Sequence, residues 1–432
     1  MNVNIEAAIA ILMISFFVLV IIRLPVTFAL IISTALTMLY CKIPLMTMVQ
    51  QMSKAVNSFS LLAIPFFILM GEIMGAGGIS SRLLEFANVC VGHLRGGLAH
   101  VNILASMFFG GISGSAVADV SSLGTLEIPM MEKAGYDRPF ATAVTVSSAC
   151  QGLIIPPSHN MVLYSMAAGG ISVGRLFWAG YAPGILLGVC LMILCWFMSI
   201  KRNYPKGERV PLRHAVKVTR EAFFAIFAMV IIVGGVSCGL FTATESAAIA
   251  CIYSFLVSMF IYKELKMRHM PKVLSNTVKT LAMVYSLIAA AGAFSWILAY
   301  LRIPARVTDL LLGISDNRFV VLILINLILL FLGCIMDMAP LVLIMTPILL
   351  PVVQKFGMTP IQFGIVLMLN LGIGLCTPPV GSCLFAGCAI GKISIEETTK
   401  ALLPMYVVMV VALLLITFIP AITMTLPNIV MP

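Results

Sequence analysis

Apolar runs of bilayer-crossing length recur along this chain, and they constrain its fold more than any other feature. They fall at about 5–22, 25–41, 59–76, 140–167, 177–200, 221–236, 242–262, 277–301, 360–390 and 401–420. A helix needs roughly 20 mainly apolar residues to cross the hydrocarbon core. The chain is 61% apolar and 10% charged, with a mean hydropathy of +1.12. Soluble domains carry about a quarter charged residues, so lipid is the expected solvent and an all-α polytopic membrane protein the expected fold. The first run lacks a basic leader, carries Glu6 and is followed by Arg23. It reads as a retained helix, not a signal peptide.

Two runs, 140–167 and 360–390, are too long for one straight helix, and each is interrupted by a Pro-Pro pair. Two further stretches, 96–131 and 318–351, are broken near their middles by small and acidic residues. These predict two hairpins that enter and leave on one side. Segments 42–58 and 263–276 are mixed in polarity and predict amphipathic helices at the interface.

A shift of 222 residues lays the second half of the chain on the first without a gap. Gly111 then meets Gly333, Pro129 meets Pro351, Gly135 meets Gly357 and Gly152 meets Gly374. Pro156 and Pro157 fall on Pro378 and Pro379, and Ser172 on Ser394. Each copy holds five crossings and one hairpin, so the second is inverted in the membrane. The division expected is a first repeat over 1–200, a basic linker over 201–220 and a second repeat over 221–432. Inverted repeats with broken helices near the midplane characterise secondary transporters.

Charge tests that topology. The linker carries Lys201, Arg202, Lys206, Arg209, Arg213, Lys217 and Arg220. With the linker in the cytoplasm, nineteen of the 26 Lys and Arg residues lie inside, as the positive-inside rule requires. The net charge of +10 is therefore read as topology and not as a nucleic-acid surface.

Four interruptions carry the chemistry: GGISGSAVADVSS at 110–122, GLIIPPSHN at 152–160, GCIMDMAP at 333–340 and GIGLCTPPVGS at 372–382. A proline within a helix removes a hydrogen bond and frees carbonyls, and in lipid an unpaired backbone group costs several kcal/mol. Freed carbonyls, the hydroxyls of Ser113, Ser115, Ser158 and Thr377, and nearby carboxylates make an oxygen cage for a hard cation such as sodium. Helix N-termini aimed at the same place suit an anionic substrate. The substrate positions expected are Ser115, Pro157, Ser158, His159, Asn160, Thr377, Pro378 and Pro379. Taken singly, each Pro-Pro is also compatible with a simple kink and each Gly/Ser tip with close helix packing. Asp119 and Asp337 are candidates for ion binding or for helix capping, and intramembrane acids are functional by default. His159 either touches substrate or caps the broken helix. Glu72 reads equally as a scaffold contact, and Glu127 and Glu245 are lesser candidates.

The eleven cysteines form no CxxC pair and no Cys/His cluster, so they read as packing residues and no metal beyond sodium is expected. There is no Walker A pattern, nucleophile elbow or zinc-spaced His pair. That points away from an enzyme, requires no cofactor and favours a carrier driven by an ion gradient.

In these stretches the chain resembles the large membrane subunit of tripartite ATP-independent periplasmic (TRAP) transporters, within the ion-transporter superfamily of elevator carriers. The likeness rests on NSFSLLAIPFFILMGEIM from Asn57, SGSAVAD from Ser113, IPPS from Ile155, GLFTATESAA from Gly239, MDMAP from Met336 and GLCTPPVG from Gly374. It implies sodium-driven uptake of organic acids (C4-dicarboxylates, sialic, keto or sugar acids) across a bacterial inner membrane. It also implies a small membrane subunit and a soluble periplasmic binding protein as partners, and a transport domain sliding past a scaffold. One sodium site would use Ser113, Gly114, Ser115 and Asp119 with Gly152, Pro156 and Ser158. The other would use Gly333, Cys334 and Asp337 with Gly374, Thr377 and Val380. SHNMVLYSMAAGG, after the first Pro-Pro, departs from many relatives and leaves the solute class open. The small subunit is expected as a separate polypeptide. Segments 42–58 and 263–276 are candidate arms bracing the moving domain. The alternatives are a stand-alone sodium/dicarboxylate symporter and an ion-conducting respiratory subunit. The scarcity of acids in the spans, and of Lys deep within them, speaks against the last.

Overall fold

The computed structural model describes residues 4–431. Among them every regular element is helical. The first half holds α1 (Ile5–Ile21), α2 (Val26–Tyr40), α3 (Leu45–Val56), α4 (Ala63–Ala76), α5 (Ile79–Val91), α6 (Gly97–Ser113), α7 (Ala116–Lys133), α8 (Arg138–Ala149), α9 (Gln151–Ile154), α10 (His159–Ala167) and α11 (Val173–Lys201). The second holds α12 (Leu212–Ser237), α13 (Ala243–Leu256), α14 (Met270–Tyr300), α15 (Ile303–Ile314), α16 (Arg318–Gly333), α17 (Met338–Lys355), α18 (Pro360–Leu375), α19 (Ser382–Gly391), α20 (Ile395–Phe418) and α21 (Pro420–Val430).

Five helices are long and apolar enough to cross a bilayer, and two bent pairs bring the number to seven. This is fewer than the ten runs expected. The difference is one of length: α1 and α2, for example, have 17 and 15 residues. The expected hairpins are α6–α7 and α16–α17, and the expected broken helices are α8–α10 and α18–α19. Under the 222-residue shift, the bounds of α7 fall on those of α17, and the starts of α8 and α11 on those of α18 and α20.

One expectation fails. Segment 263–276 is not a separate interfacial helix. From Met270 it forms the first turns of α14, a continuous helix of 31 residues. Its counterpart α3 is separate because the chain leaves the helix at Asn57 and resumes through a 3₁₀ turn at Phe59–Leu62. Lys279 and Thr280 stand in the second copy where Asn57 and Ser58 end α3 in the first, and there the helix propagates. The runs also gave no sign of α5 and α15. α5 packs against α6 and α12, and α15 against α17 and α14. Each thus lies between a hairpin and a helix of the second half.

Helix ends carry local signals. Thr242 and Glu245 form a reciprocal capping box at the start of α13, and Ser394 and Glu397 do so on α20. Glu245 is thus a cap. Every ion pair among the described residues joins residues that the charge reading puts on one face. Arg82 meets Glu264 at 2.7 Å and Arg202 meets Asp137 at 2.9 Å, while Arg306 pairs with Glu6 on the opposite face.

Candidate ion and substrate site

Each hairpin tip is held against the broken helix of its own half. Helix α6 ends where Gly114 turns left-handed at φ 62°, and its N–H donates to Gly110 O. Only glycine adopts that conformation without strain. Ser115 then caps α7 by accepting from the Ala118 N–H. Asn160 Nδ2 donates to Gly114 O at 3.0 Å and ties the tip to the start of α10. In the second half the Val380 N–H donates to Cys334 O at 3.0 Å, and the Ser382 hydroxyl reaches Asp337 Oδ1 at 3.4 Å. Asn160 and Ser382 are equivalent under the shift, and both bridge break to tip.

Backbone meets backbone at the same junctions. A Cβ built on Gly152 would lie 2.5 Å from Gly110 Cα, and one on Gly374 2.5 Å from the Gly333 carbonyl carbon. No side chain fits between tip and break in either half. The two halves also meet each other: the Cys150 thiol donates to Gly372 O at 2.9 Å and lies 3.2 Å from Cys376 Sγ. Cys150 and Gly372 are themselves equivalent positions under the 222-residue shift. Helix α19 packs on α7 and α10 on α17, so each broken helix also supports the other half's hairpin.

The oxygens differ between the halves. In the first, Gly152, Pro156, Pro157 and Ser158 are buried, as are Gly114 and Asn160; Ser113, Ser115 and His159 are half-buried. Asp119 is 1% exposed, and the Ser106 hydroxyl approaches its carboxylate without closing a full hydrogen bond. Ser158 Oγ is also buried without a partner. A buried carboxylate or hydroxyl left unpaired is costly, and a bound cation is one way to satisfy either. The donor set, hard oxygen with a carboxylate, therefore suits sodium. In the second half Pro379, Val380 and Asp337 are exposed, while Thr377 and Pro378 are half-buried. A Cβ on Gly381 would lie 2.7 Å from both Leu375 O and Thr377 O, so two carbonyls converge there. Thr377 Oγ1 donates to Ile373 O at 2.7 Å, and its oxygen lone pairs stay available to an ion.

The two acids are not equivalent. Asp337 occupies the N-cap position of α17 but makes no capping hydrogen bond, whereas Asp119 lies within the first turn of α7. The shift places Asp337 over Ser115, and Leu341 over Asp119. His159 lies against Gly114. Glu72 accepts from Asn276 at 3.2 Å, a polar contact between α4 and α14.

Sequence reasoning missed a buried polar track behind the first tip. Ser106 and Ser148 hydroxyls lie 3.0 Å apart, Ser148 donates to Asn102 Oδ1, and Asn102 donates to Thr145 Oγ1 at 2.7 Å. Glu127, a lesser candidate in the sequence, is fully buried, and both its oxygens lack partners. Ser and Thr recurring inside the runs 96–131 and 140–167 were the available signal. Tyr406 was also missed; its hydroxyl donates to Cys376 O at 2.5 Å, satisfying a carbonyl beside the second break.

Comparison with known proteins is consistent with this geometry. Residues 13–422 match the family described as tripartite ATP-independent periplasmic transporter, DctM component. The chain is 40% identical over 379 residues to the sialic acid TRAP transporter large permease protein SiaM of Vibrio cholerae, covering 88% of each chain. It is 39% identical to the C4-dicarboxylate TRAP transporter large permease protein DctM of Pseudomonas aeruginosa, covering 86% of each. It is 42% identical to the uncharacterized protein YgiK of Salmonella typhimurium, covering 97% of each. Among solved structures, the fold is shared with the YdaH transporter of Alcanivorax borkumensis at a TM-score of 0.62 and 13% identity, covering 86% of each chain. The chain belongs to the DctM family of TRAP transporter large permeases, multi-pass membrane proteins.

Proposed function

We propose that this protein is the large permease subunit of a sodium-coupled carrier that imports organic acid anions across a bacterial inner membrane. One observation carries the reading: two tip-and-break junctions, the first with a buried carboxylate on its hairpin and a buried hydroxyl on its break, neither with a full hydrogen bond. Sodium at Asp119 and Ser158, with the carbonyls of the first break, relieves that deficit. A second ion suits the carbonyls converging at Gly381, with Thr377 and Asp337 beside them. Sodium moving inward gains roughly 2.3 kcal/mol per 100 mV, plus its concentration term.

The substrate class follows from the N-termini of α7, α10, α17 and α19. All four begin at a tip or a break, and helix N-termini favour anions. Ser115, His159 and Asn160 on one side, and Thr377 with Pro378 and Pro379 on the other, are the groups a carboxylate would meet. Relatives named for sialic acid and C4-dicarboxylates support an organic acid. The family name supports a periplasmic binding protein as a partner, and relatives in which the permease is one part of a longer chain support a small membrane subunit. Matching element bounds and the contact between Cys150 and its counterpart Gly372 support two inverted repeats. In an elevator arrangement, hairpins and broken helices move together past the remaining helices.

The test is reconstitution with the small subunit in liposomes. Uptake of labelled sialic acid, malate and a sugar acid is followed with and without binding protein and a sodium gradient. Dependence on both additions is expected. Uptake without the binding protein would indicate a stand-alone symporter, and no uptake of any anion by folded protein would overturn the carrier reading.

A further inference from the structure

Two cavities flank α14, one near each end. The first, about 400 Å³, is walled by α4, the first hairpin and the start of α14; Glu72, Ser113, Ser122, Lys272 and Asn276 line it. The second, about 320 Å³, is walled by α3, α10, the later part of α14 and α17; Gln51, Lys54, Ser58 and Ser295 line it. The 222-residue shift relates their walls: α3 falls on the start of α14, α4 on its continuation and α7 on α17. Lys54 falls on Asn276, and Lys272 on Gln50, one helical turn from Lys54. Each cavity thus has one lysine, on related faces of equivalent helices. The charge reading puts Lys272 on the face with the basic excess and Lys54 on the opposite face. Both volumes suit a small organic acid.

Their charges differ. Lys54 is the one charged side chain lining its cavity. Lys272 shares its cavity with the half-buried Glu72. His269, also in that wall, is engaged by Lys266 and Arg268. One cavity is therefore net positive and the other near neutral.

We propose that the protein handles its anion with unequal electrostatics on its two faces: Lys54 draws a carboxylate into one cavity, and Glu72 cancels Lys272 in the other so that the anion leaves. This rests on the carrier reading above. Glu72 is a positioning residue for release, acting through Lys272. A unit charge several ångströms from a carboxylate in a wet, intermediate dielectric changes affinity by about tenfold.

The experiment uses the full chain with its small subunit in liposomes loaded with labelled malate or labelled sialic acid, measuring efflux from the face that bears Lys272. E72Q keeps the shape and should lower the efflux KM about tenfold, a gain that misfolding cannot produce. K272M should raise it about tenfold, and E72Q/K272M should lie near wild type. These shifts should shrink as salt rises. On the other face, K54M should raise the KM for uptake from the loaded binding protein about tenfold, with K54R restoring it. An unchanged or raised efflux KM in E72Q, or a salt-independent shift, would overturn the proposal while wild-type transport leaves the carrier reading standing. Failure of the wild type to carry either anion would remove both.

Discussion

Gly152→Ala tests the junction most directly. The new methyl would lie 2.5 Å from Gly110 Cα and 3.4 Å from the Gly110 carbonyl carbon. Carbon atoms rest at about 3.5–4.0 Å, so α6 and the first break must separate by roughly 1 Å. Both partners are backbone, which cannot rotate aside as a side chain can. Over-packing of this kind costs about 1–3 kcal/mol. The same separation moves the first break, with Ser158, away from the hairpin tip, so sodium affinity should fall about tenfold or more. Gly313→Ala is the control: nothing lies within 4 Å of its Cβ, and a helical Gly→Ala change is worth about 0.5–1 kcal/mol in the stabilising direction. The assay is denaturation of the purified protein in detergent over a sodium series, where stabilisation grows as the logarithm of ion concentration above Kd. If Gly152→Ala unfolds like wild type and keeps its sodium response, the backbone contact is not what holds the site together.

Three further outcomes are expected. Asp119→Asn should abolish sodium-dependent stabilisation, while Ser158→Ala should weaken it about tenfold at little cost without sodium, because the removed hydroxyl was unpaired; titration of the melting curve with sodium reads both. A crosslink between Ala55 on α3 and Leu343 on α17, which line one cavity, should arrest uptake, and continued uptake would exclude relative motion of these helices during transport. Thr242→Ala should cost about 1 kcal/mol by removing the α13 cap, measured by denaturation with transport specificity unchanged.

What the sequence revealed depended on how each element is punctuated. Pro-Pro pairs and Gly/Ser tips interrupt long apolar runs, so hairpins and broken helices stand out. α5, ISSRLLEFANVCV, mixes charge with apolar residues, and a search for apolar runs passes over it. The merger of 263–276 into α14 was hidden because polarity suggested an interface, while from Lys272 onward nothing breaks the helix. Asp119 and Asp337 looked like a matched pair by proximity to their tips. Their different shift positions already showed otherwise, but burial needed the packed structure. The unpaired state of Ser158 and Glu127 was equally invisible, since it depends on what neighbouring helices fail to offer.

The single-piece α14 has a mechanical consequence. Both lysine cavities are built on it, one on its first turns around Lys272 and the other around Gly292. Twenty residues at 1.5 Å each make roughly 30 Å, close to the thickness of the hydrocarbon core. The spacing of the two cavities is therefore ruled by one hydrogen-bonded rod and not by the packing of separate parts. The helix serves as a gauge bar: its length fixes the distance between the openings, and a kink anywhere along it would put them out of step.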